Sequence, residues 1–190
     1  MNIIGKINAF ILIVILSPLF LLLGIIIVIS DGFPIFFRQK RIGKKNSVFT
    51  MIKFRTMKNG TPDNIATHLL DDPLKYNTGI GRYLRKYSID ELPQLFNVLI
   101  GDMSFIGPRP ALPNQIDLLT LRKSYGIENS IPGLTGWAQI NGRDHLSVEE
   151  KVEMEKYYLE NNNFFIDLKI LLLTVKLVLQ AKGIYPDKKK

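Results

Sequence analysis

From Ala9 to Ile29 the chain carries no charged residue, and apolar side chains follow one another without a polar period. As an α-helix this run would extend about 31 Å, close to the thickness of a hydrocarbon core, so the segment belongs in a bilayer. The run is longer than the core of a cleavable signal peptide, and no small-x-small site follows Ile29, which sets the signal reading aside. Ser17-Pro18 stands near its midpoint. Pro18 cannot donate to the carbonyl of Val14, so a kink is predicted there. The Ser17 hydroxyl is placed to bond back one turn and satisfy the freed acceptor. Two forms fit: a kinked spanning helix, or a re-entrant helix-break-helix whose halves of about 13 to 16 Å return the chain to its starting face. The residues by themselves favour spanning.

After this segment the pattern changes period. Ile35-Phe36-Phe37 and Val48 to Phe54, separated by the turn-prone stretch Gly43 to Ser47, predict a hairpin, with Phe49, Met51, Lys53 and Arg55 on one face of the second strand. Residues 59 to 78 hold Gly60, Pro62, Asp63, Asn64, Pro73 and Asn77, and read as an irregular connection with one short helix. Leu95 to Ile100 begins just after Pro93 and stops at Gly101, which suits a short buried helix with proline in its first turn and Asp90 and Glu91 at its amino-terminal end. Gly107 to Pro110 and Ile131 to Trp137 read as turns or extended loops. From Ser147 the pattern of Val148, Val152, Met154, Tyr157 and Tyr158 is helical, with Ser147 and Glu150 in capping-box register. Asp167 to Lys182 is a second apolar helix, interrupted by Lys169, Lys176, Gln180 and Lys182, too polar to span and suited to a membrane surface or a core.

Composition narrows the chemistry. The chain has 190 residues, enough for one domain of ordinary size plus a small anchor. There is no Cys, which excludes disulfides and thiolate chemistry, and two His, His68 and His145, are too few for a His-based zinc site. The net charge is +8, and eight cations with no acid lie between Gly32 and Pro62: Arg38, Lys40, Arg41, Lys44, Lys45, Lys53, Arg55 and Lys58. The other residues therefore sum to zero, so one patch is basic rather than the whole chain. Its position directly after the apolar run puts the following domain on the cytoplasmic side. Spanning would then carry Lys6 across the membrane, whereas re-entry would keep it inside.

Asp90-Glu91 is the first candidate for chemistry. Two adjacent carboxylates at a helix start feel its partial positive charge, which favours their ionised forms. An ionised Asp can attack phosphorus, and a neighbouring carboxylate can hold magnesium together with substrate phosphates. The plainer alternative is that Ser88-x-x-Glu91 is a capping box. Arg109, between Pro108 and Pro110, has a backbone fixed by its neighbours and a guanidinium whose natural partner is phosphate or carboxylate. Lys53 and Arg55 can join it as phosphate ligands or form a solvated strand face. Arg85 can neutralise phosphate or pair with an acid. Gly133, Gly136 and Gly142 around Trp137 suggest either a flexible loop for a base or sugar, or a core tryptophan. No glycine pattern matches a phosphate loop or a dinucleotide fingerprint.

The order of these motifs carries a resemblance. Asp90-Glu91-Leu92-Pro93-Gln94-Leu95-Phe96-Asn97-Val98-Leu99, then Gly101-Asp102-Met103-Ser104 and Gly107-Pro108-Arg109-Pro110, resembles the bacterial sugar transferase family, the monotopic phosphoglycosyl transferases. Pro34, Phe37-Arg38-Gln39 and Lys53-Phe54-Arg55-Thr56-Met57 are similar to the family's earlier motif, and Pro132-Gly133-Leu134-Thr135-Gly136-Trp137-Ala138-Gln139-Ile140-Asn141-Gly142-Arg143 to its later one. The match runs through essentially the whole chain and is specific as an ordered set.

The resemblance implies transfer of a sugar phosphate from a nucleotide sugar, usually a UDP sugar, to polyprenyl (undecaprenyl) phosphate, with release of UMP, as the first membrane step of a surface glycan or glycoprotein pathway. It matches Asp90 to a nucleophile that carries a covalent phosphosugar in a ping-pong scheme, Glu91 to its Mg2+-associated partner and Arg109 to a phosphate-binding arginine. Lys53 and Arg85 match basic active-site positions, and Ser17-Pro18 matches the break of a re-entrant helix, which reverses the preference for spanning. The expected fold is α+β and predominantly α: a monotopic membrane protein with a re-entrant helix over residues 1–31, and a catalytic domain over 32–190 that contains a small β-hairpin and surface-lying amphipathic helices. It is expected at the cytoplasmic face of the bacterial inner membrane, with nucleotide sugar and prenyl phosphate as partners and no nucleic acid, in the minimal catalytic form that lacks the larger relatives' preceding regions. Asn46 stands where relatives often have Gly, and Asn161-Asn162-Asn163 replaces a commonly aromatic stretch. Two rivals are a non-enzymatic membrane-anchored module that holds anionic lipid or nucleic acid on the basic patch, and a lipid-linked diphosphate hydrolase.

Overall fold

The computed structural model describes residues 3–62, 72, 75–142 and 145–181. It is mostly helical and forms two compact units, one of Met1–Lys40 with Phe49–Met103, the other of Arg41–Val48 with Ser104–Lys190.

The first unit begins with helix α1, Ile3–Asp31, which is helical through Pro18. The Ser17 hydroxyl donates to the Val14 carbonyl at 2.8 Å, so the acceptor that Pro18 leaves empty is satisfied as expected. Gly32, at φ +71°, ends the helix in the left-handed conformation and returns its N–H to the Val28 carbonyl. α1 is long and apolar enough to cross a membrane. Its only buried residues are Ala9, Leu23, Gly24 and Ile27, while Phe10, Ile15, Leu21 and Ile29 are among the large side chains it exposes. So much bare apolar surface suits lipid contact.

The hairpin is present as strands β1, Phe36–Ile42, and β2, Val48–Phe54. Asn46 sits in its turn at φ +58°, where Asn is tolerated in place of Gly. Helix α2, Gly81–Lys86, leads into a single 3-10 turn at Ile89–Glu91 and then helix α3, Gln94–Ile100. Leu23 and Ile27 of α1 pack with Phe54 and Leu84 in one buried cluster, flanked by Phe20, Ile35 and Ile89. Of the connection expected over 59–78, residues 63–71 and 73–74 lie outside the described residues, and so does the short helix expected there; Met57 and Asn77 form an antiparallel bridge across it.

The second unit contains strand β3, Ser104–Ile106, helix α4, Ile116–Ser124, strand β4, Gly133–Thr135, and helices α5, Trp137–Asn141, α6, Val148–Asn161, and α7, Phe164–Gln180. β3 and β4 pair in parallel, with Ser104 opposite Gly133 and Ile106 opposite Thr135. This corrects the expectation of loop throughout Ile131 to Trp137. A Cβ on Gly133 would lie 2.1 Å from the Gly107 nitrogen, and one on Gly136 would lie 2.1 Å from the Gly107 oxygen. These glycines therefore permit backbone to pack on backbone, and a flexible loop is not what they build. Trp137 stacks on Tyr157 of α6, with ring centroids 5.4 Å apart, and the Lys169 ammonium of α7 lies over its ring.

The capping box at the start of α6 is formed in both directions between Ser147 and Glu150. The Asn triplet marks the corner after it: the Asn163 side chain accepts from the Ile166 N–H and caps α7, which starts three residues before the expected Asp167. Tyr158 donates to the Asp167 carboxylate at 2.7 Å across this corner. Burial and then that carboxylate push the phenol well above its ordinary range, so it remains a donor.

Candidate active site

Asp90 and Glu91 stand on the 3-10 turn that joins α2 to α3, and the turn is reached through Ser88 in the left-handed conformation at φ +52°. A non-glycine residue there is uncommon, and such strain persists where the surroundings over-determine it. The Ser88 side chain makes no capping bond, so the plain capping-box alternative does not describe this turn. Pro93 occupies the N-cap of α3 rather than its first turn, and the carboxylates lie on their own turn just ahead of the helix.

Glu91 is held from the hairpin. The Lys53 ammonium of β2 reaches its Oε1 at 2.7 Å, with both side chains about 15% exposed. Asp90 beside it is buried, at 7% exposure. The strand register that carries Lys53 is itself fixed by a group that the apolar pattern hid. Asn97, fully buried in α3, accepts from the Ile52 N–H at 3.1 Å and donates to the Thr50 carbonyl at 2.8 Å, so its amide acts as one residue of a neighbouring strand. The same helix thus carries the carboxylate turn at its front and locks the strand that supplies the cation.

Arg85 lies on the last turn of α2, half-buried, in the same unit. Gln94, one helical turn beyond Asp90, was not singled out from sequence. It is 2% exposed, and its Nε2 has no hydrogen-bond partner among the described residues. A buried amide donor left unpaired is costly unless a ligand or water completes it.

Arg55 departs from expectation. It is buried, and its guanidinium donates to the carbonyls of Asp31, Gly32 and Phe33 and to the Asn59 side chain. These carbonyls stand at and just beyond the end of α1, where a cation complements the helix dipole. Arg55 is the cap of α1, and its fork is committed there rather than offered to a phosphate. Other members of the basic patch are also engaged, Lys40 with Thr50 and Arg41 with the Pro110 carbonyl. Lys40, Arg41, Lys53 and Arg55 are thus each bonded to the protein, so part of the patch is structural.

Arg109 belongs to the second unit, half-buried in the Gly107-Pro108-Arg109-Pro110 segment that follows β3. The structure therefore brings Asp90, Glu91 and Lys53 together, has Arg85 elsewhere in the same unit on α2, and builds the frame of Arg109 in the second unit.

Residues 2–181 match the bacterial sugar transferase family, and the chain belongs to it. It is a transferase, and the non-enzymatic rival falls away. Relatives include an uncharacterized sugar transferase, EpsL, of Bacillus subtilis, 49% identical over 80% of this chain and 74% of its own length. The exopolysaccharide production protein ExoY of Rhizobium meliloti is 35% identical over 89% of this chain and 80% of its own. The UDP-glucose:undecaprenyl-phosphate glucose-1-phosphate transferase of Escherichia coli is 36% identical over 88% of this chain but only 37% of its own length.

Proposed function

We propose that this protein transfers a sugar phosphate from a UDP sugar to undecaprenyl phosphate at the cytoplasmic face of the bacterial inner membrane, the opening step of a surface glycan. The observation that carries this reading is the Asp90-Glu91 turn: a buried carboxylate beside one already held by an ammonium, in the same compact unit as the membrane helix. Relatives named for undecaprenyl-phosphate sugar-phosphate transfer support the substrate class.

In the proposed reaction an Asp90 oxygen attacks the sugar-bearing phosphorus of the donor. A bond forms between that oxygen and phosphorus, and the phosphoanhydride bond to UMP breaks. UMP leaves, and the phosphosugar stays on Asp90. An oxygen of the prenyl phosphate then attacks the same phosphorus, the acyl phosphate bond breaks, and the Asp90 carboxylate is restored. Lys53 orients Glu91 and adds positive charge beside the reacting diphosphate, Arg85 adds more, and Arg109 grips a phosphate through its fork.

Among the described residues no group of three His, Asp or Glu side chains is gathered that could hold a metal ion. The adjacent carboxylates of Asp90 and Glu91 suit magnesium, which commonly takes one or two carboxylates and completes its shell with substrate phosphates, and Glu91 is the residue that would hold it. Bound there, it would offset charge on the diphosphate.

For topology the proposal is re-entry at Ser17-Pro18. Both ends of α1 meet the first unit: Leu23 and Ile27 enter its core, while Lys6 donates to the Ile100 carbonyl at the end of α3, at 3.2 Å, and Ala9 is fully buried. A straight helix would hold Lys6 about 37 Å from Asp31. In the second unit α7 exposes Phe164, Phe165, Leu168, Leu172, Val175 and Leu179, a surface suited to lying in the membrane interface.

The reaction is tested by incubating purified protein with UDP sugar, undecaprenyl phosphate and magnesium. UMP together with a prenyl diphosphate sugar supports the reading, and cleavage with no prenyl product would favour the hydrolase. For topology, Asn2→Cys provides a reporter in a chain without cysteine. A membrane-impermeant thiol reagent applied to intact cells should miss it in the parent and reach it in the Ser17→Leu, Pro18→Leu variant. Labelling of the parent would overturn re-entry and leave the chemistry standing.

A further inference from the structure

Three consecutive carbonyls of the Gly107–Pro110 segment are each held by a different donor. The Pro108 carbonyl accepts from the Gly133 N–H at 2.9 Å, the Arg109 carbonyl from Arg122 Nη2 at 2.9 Å, and the Pro110 carbonyl from Arg41 Nη1 at 3.0 Å. The middle donor is unusual. Arg122 of α4 is 6% exposed and forks onto Glu155 of α6, itself 5% exposed, with Nε on Oε2 at 2.8 Å and Nη2 on Oε1. A buried ion pair is weak support for stability, because removing two charges from water offsets much of their attraction, and apolar residues of similar volume often serve as well. Here the Nη2 group that meets Glu155 also donates its other N–H to the main chain of Arg109.

We propose that Arg122 and Glu155 are positioning residues for catalysis: Glu155 sets the guanidinium plane of Arg122, and Arg122 fixes the peptide from which the Arg109 side chain departs. The proposal rests on the reading of Arg109 as a phosphate ligand. Flanking prolines restrict φ at 108 and 110 and hold Arg109 in extended backbone, but φ at Arg109 itself is not locked by a ring, and the Arg122 bond to the Arg109 carbonyl fixes it. A misplacement of about 1 Å in a phosphate-gripping group can lower rate by around a hundredfold without any change in the reacting groups themselves.

The test separates positioning from folding and from failure of the underlying reading. In the Arg122→Met, Glu155→Leu double variant the pair is replaced by apolar volume, so the thermal midpoint should stay within a few degrees of the parent. Its kcat/KM for the nucleotide sugar should nevertheless fall roughly ten- to a hundredfold. Arg122→Lys, which keeps the charge but loses the fork, should show the same kinetic loss. In an Arg109→Ala background neither change should lower kcat/KM further, because the residue through which they act is gone. Normal kinetics in the stable double variant, or full additivity with Arg109→Ala, would overturn the proposal. If Arg109→Ala alone left kcat/KM unchanged, the phosphate-binding reading would fail instead, and the two failures are distinct.

Discussion

Among the described residues, each unit shows an ion pair that is buried or nearly so, and the two are built differently. Lys53–Glu91 joins an ammonium to one carboxylate oxygen with both side chains about 15% accessible, beside a second carboxylate. Arg122–Glu155 is a two-point fork with side chains 8% and 3% exposed, and the second N–H of Arg122 Nη2 is on a main-chain carbonyl. A flexible ammonium is a point charge that can regroup around an incoming anion, whereas a guanidinium fork defines a plane and holds it. The first pair is therefore suited to meeting substrate charge, the second to keeping a backbone still. The same distinction separates Arg55, closed onto the end of α1, from Lys53, which lies two residues before it.

This division of labour can be broken at several depths. The largest effect belongs to the first unit's carboxylate: Asp90→Asn should abolish turnover and the covalent adduct seen by mass spectrometry with donor alone, and adduct persisting on the variant would reject Asp90 as nucleophile. Next, Glu91→Gln should cripple transfer in a folded protein, and chelation of divalent cations should do the same to the parent; activity of the parent without added metal would remove the metal role. Arg109→Lys should cost a factor of ten or more in kcat/KM, about 1.4 kcal/mol in the barrier, because a point charge replaces a fork. Near-normal kinetics there would reduce Arg109 to a structural residue. Smallest is Ser147→Ala, which removes a helix cap remote in function from either pair. It should lower stability by about 1 kcal/mol, read as a thermal midpoint a few degrees lower, with kcat unchanged. A fall in kcat would show that α6 cannot be perturbed without disturbing the frame that holds Glu155.

Much of this arrangement was legible because it is local. The apolar run, the Pro18 and Ser17 partnership, the hairpin, the α6 capping box and the adjacency of Asp90 and Glu91 each depend on residues a few positions apart. What escaped reading depends on distant partners. Asn97 sits in an apolar run and looks like an interruption, until β2 is seen to use its amide as a strand edge. Gly133 and Gly136 look like flexibility until Gly107 is packed against them. Arg55 looks like a phosphate ligand by alternation along β2, but the strand ends at Phe54 and the side chain turns to the carbonyls that close α1.

By itself, the order of residues determined the long apolar helix, the periods of hairpin and helices, the adjacent carboxylates and membership of the family, since hydrophobic period, caps and motif order are carried along the chain. Tertiary structure alone decided which cations are occupied and by what. A guanidinium reads the same in sequence whether it meets a phosphate, a carboxylate or a peptide carbonyl, and its partner is set by which acceptor the fold brings within about 3 Å of it. That is why Arg55 became a helix cap, Lys53 a partner of Glu91, and Arg122, silent in the sequence, the residue that holds the main chain at Arg109.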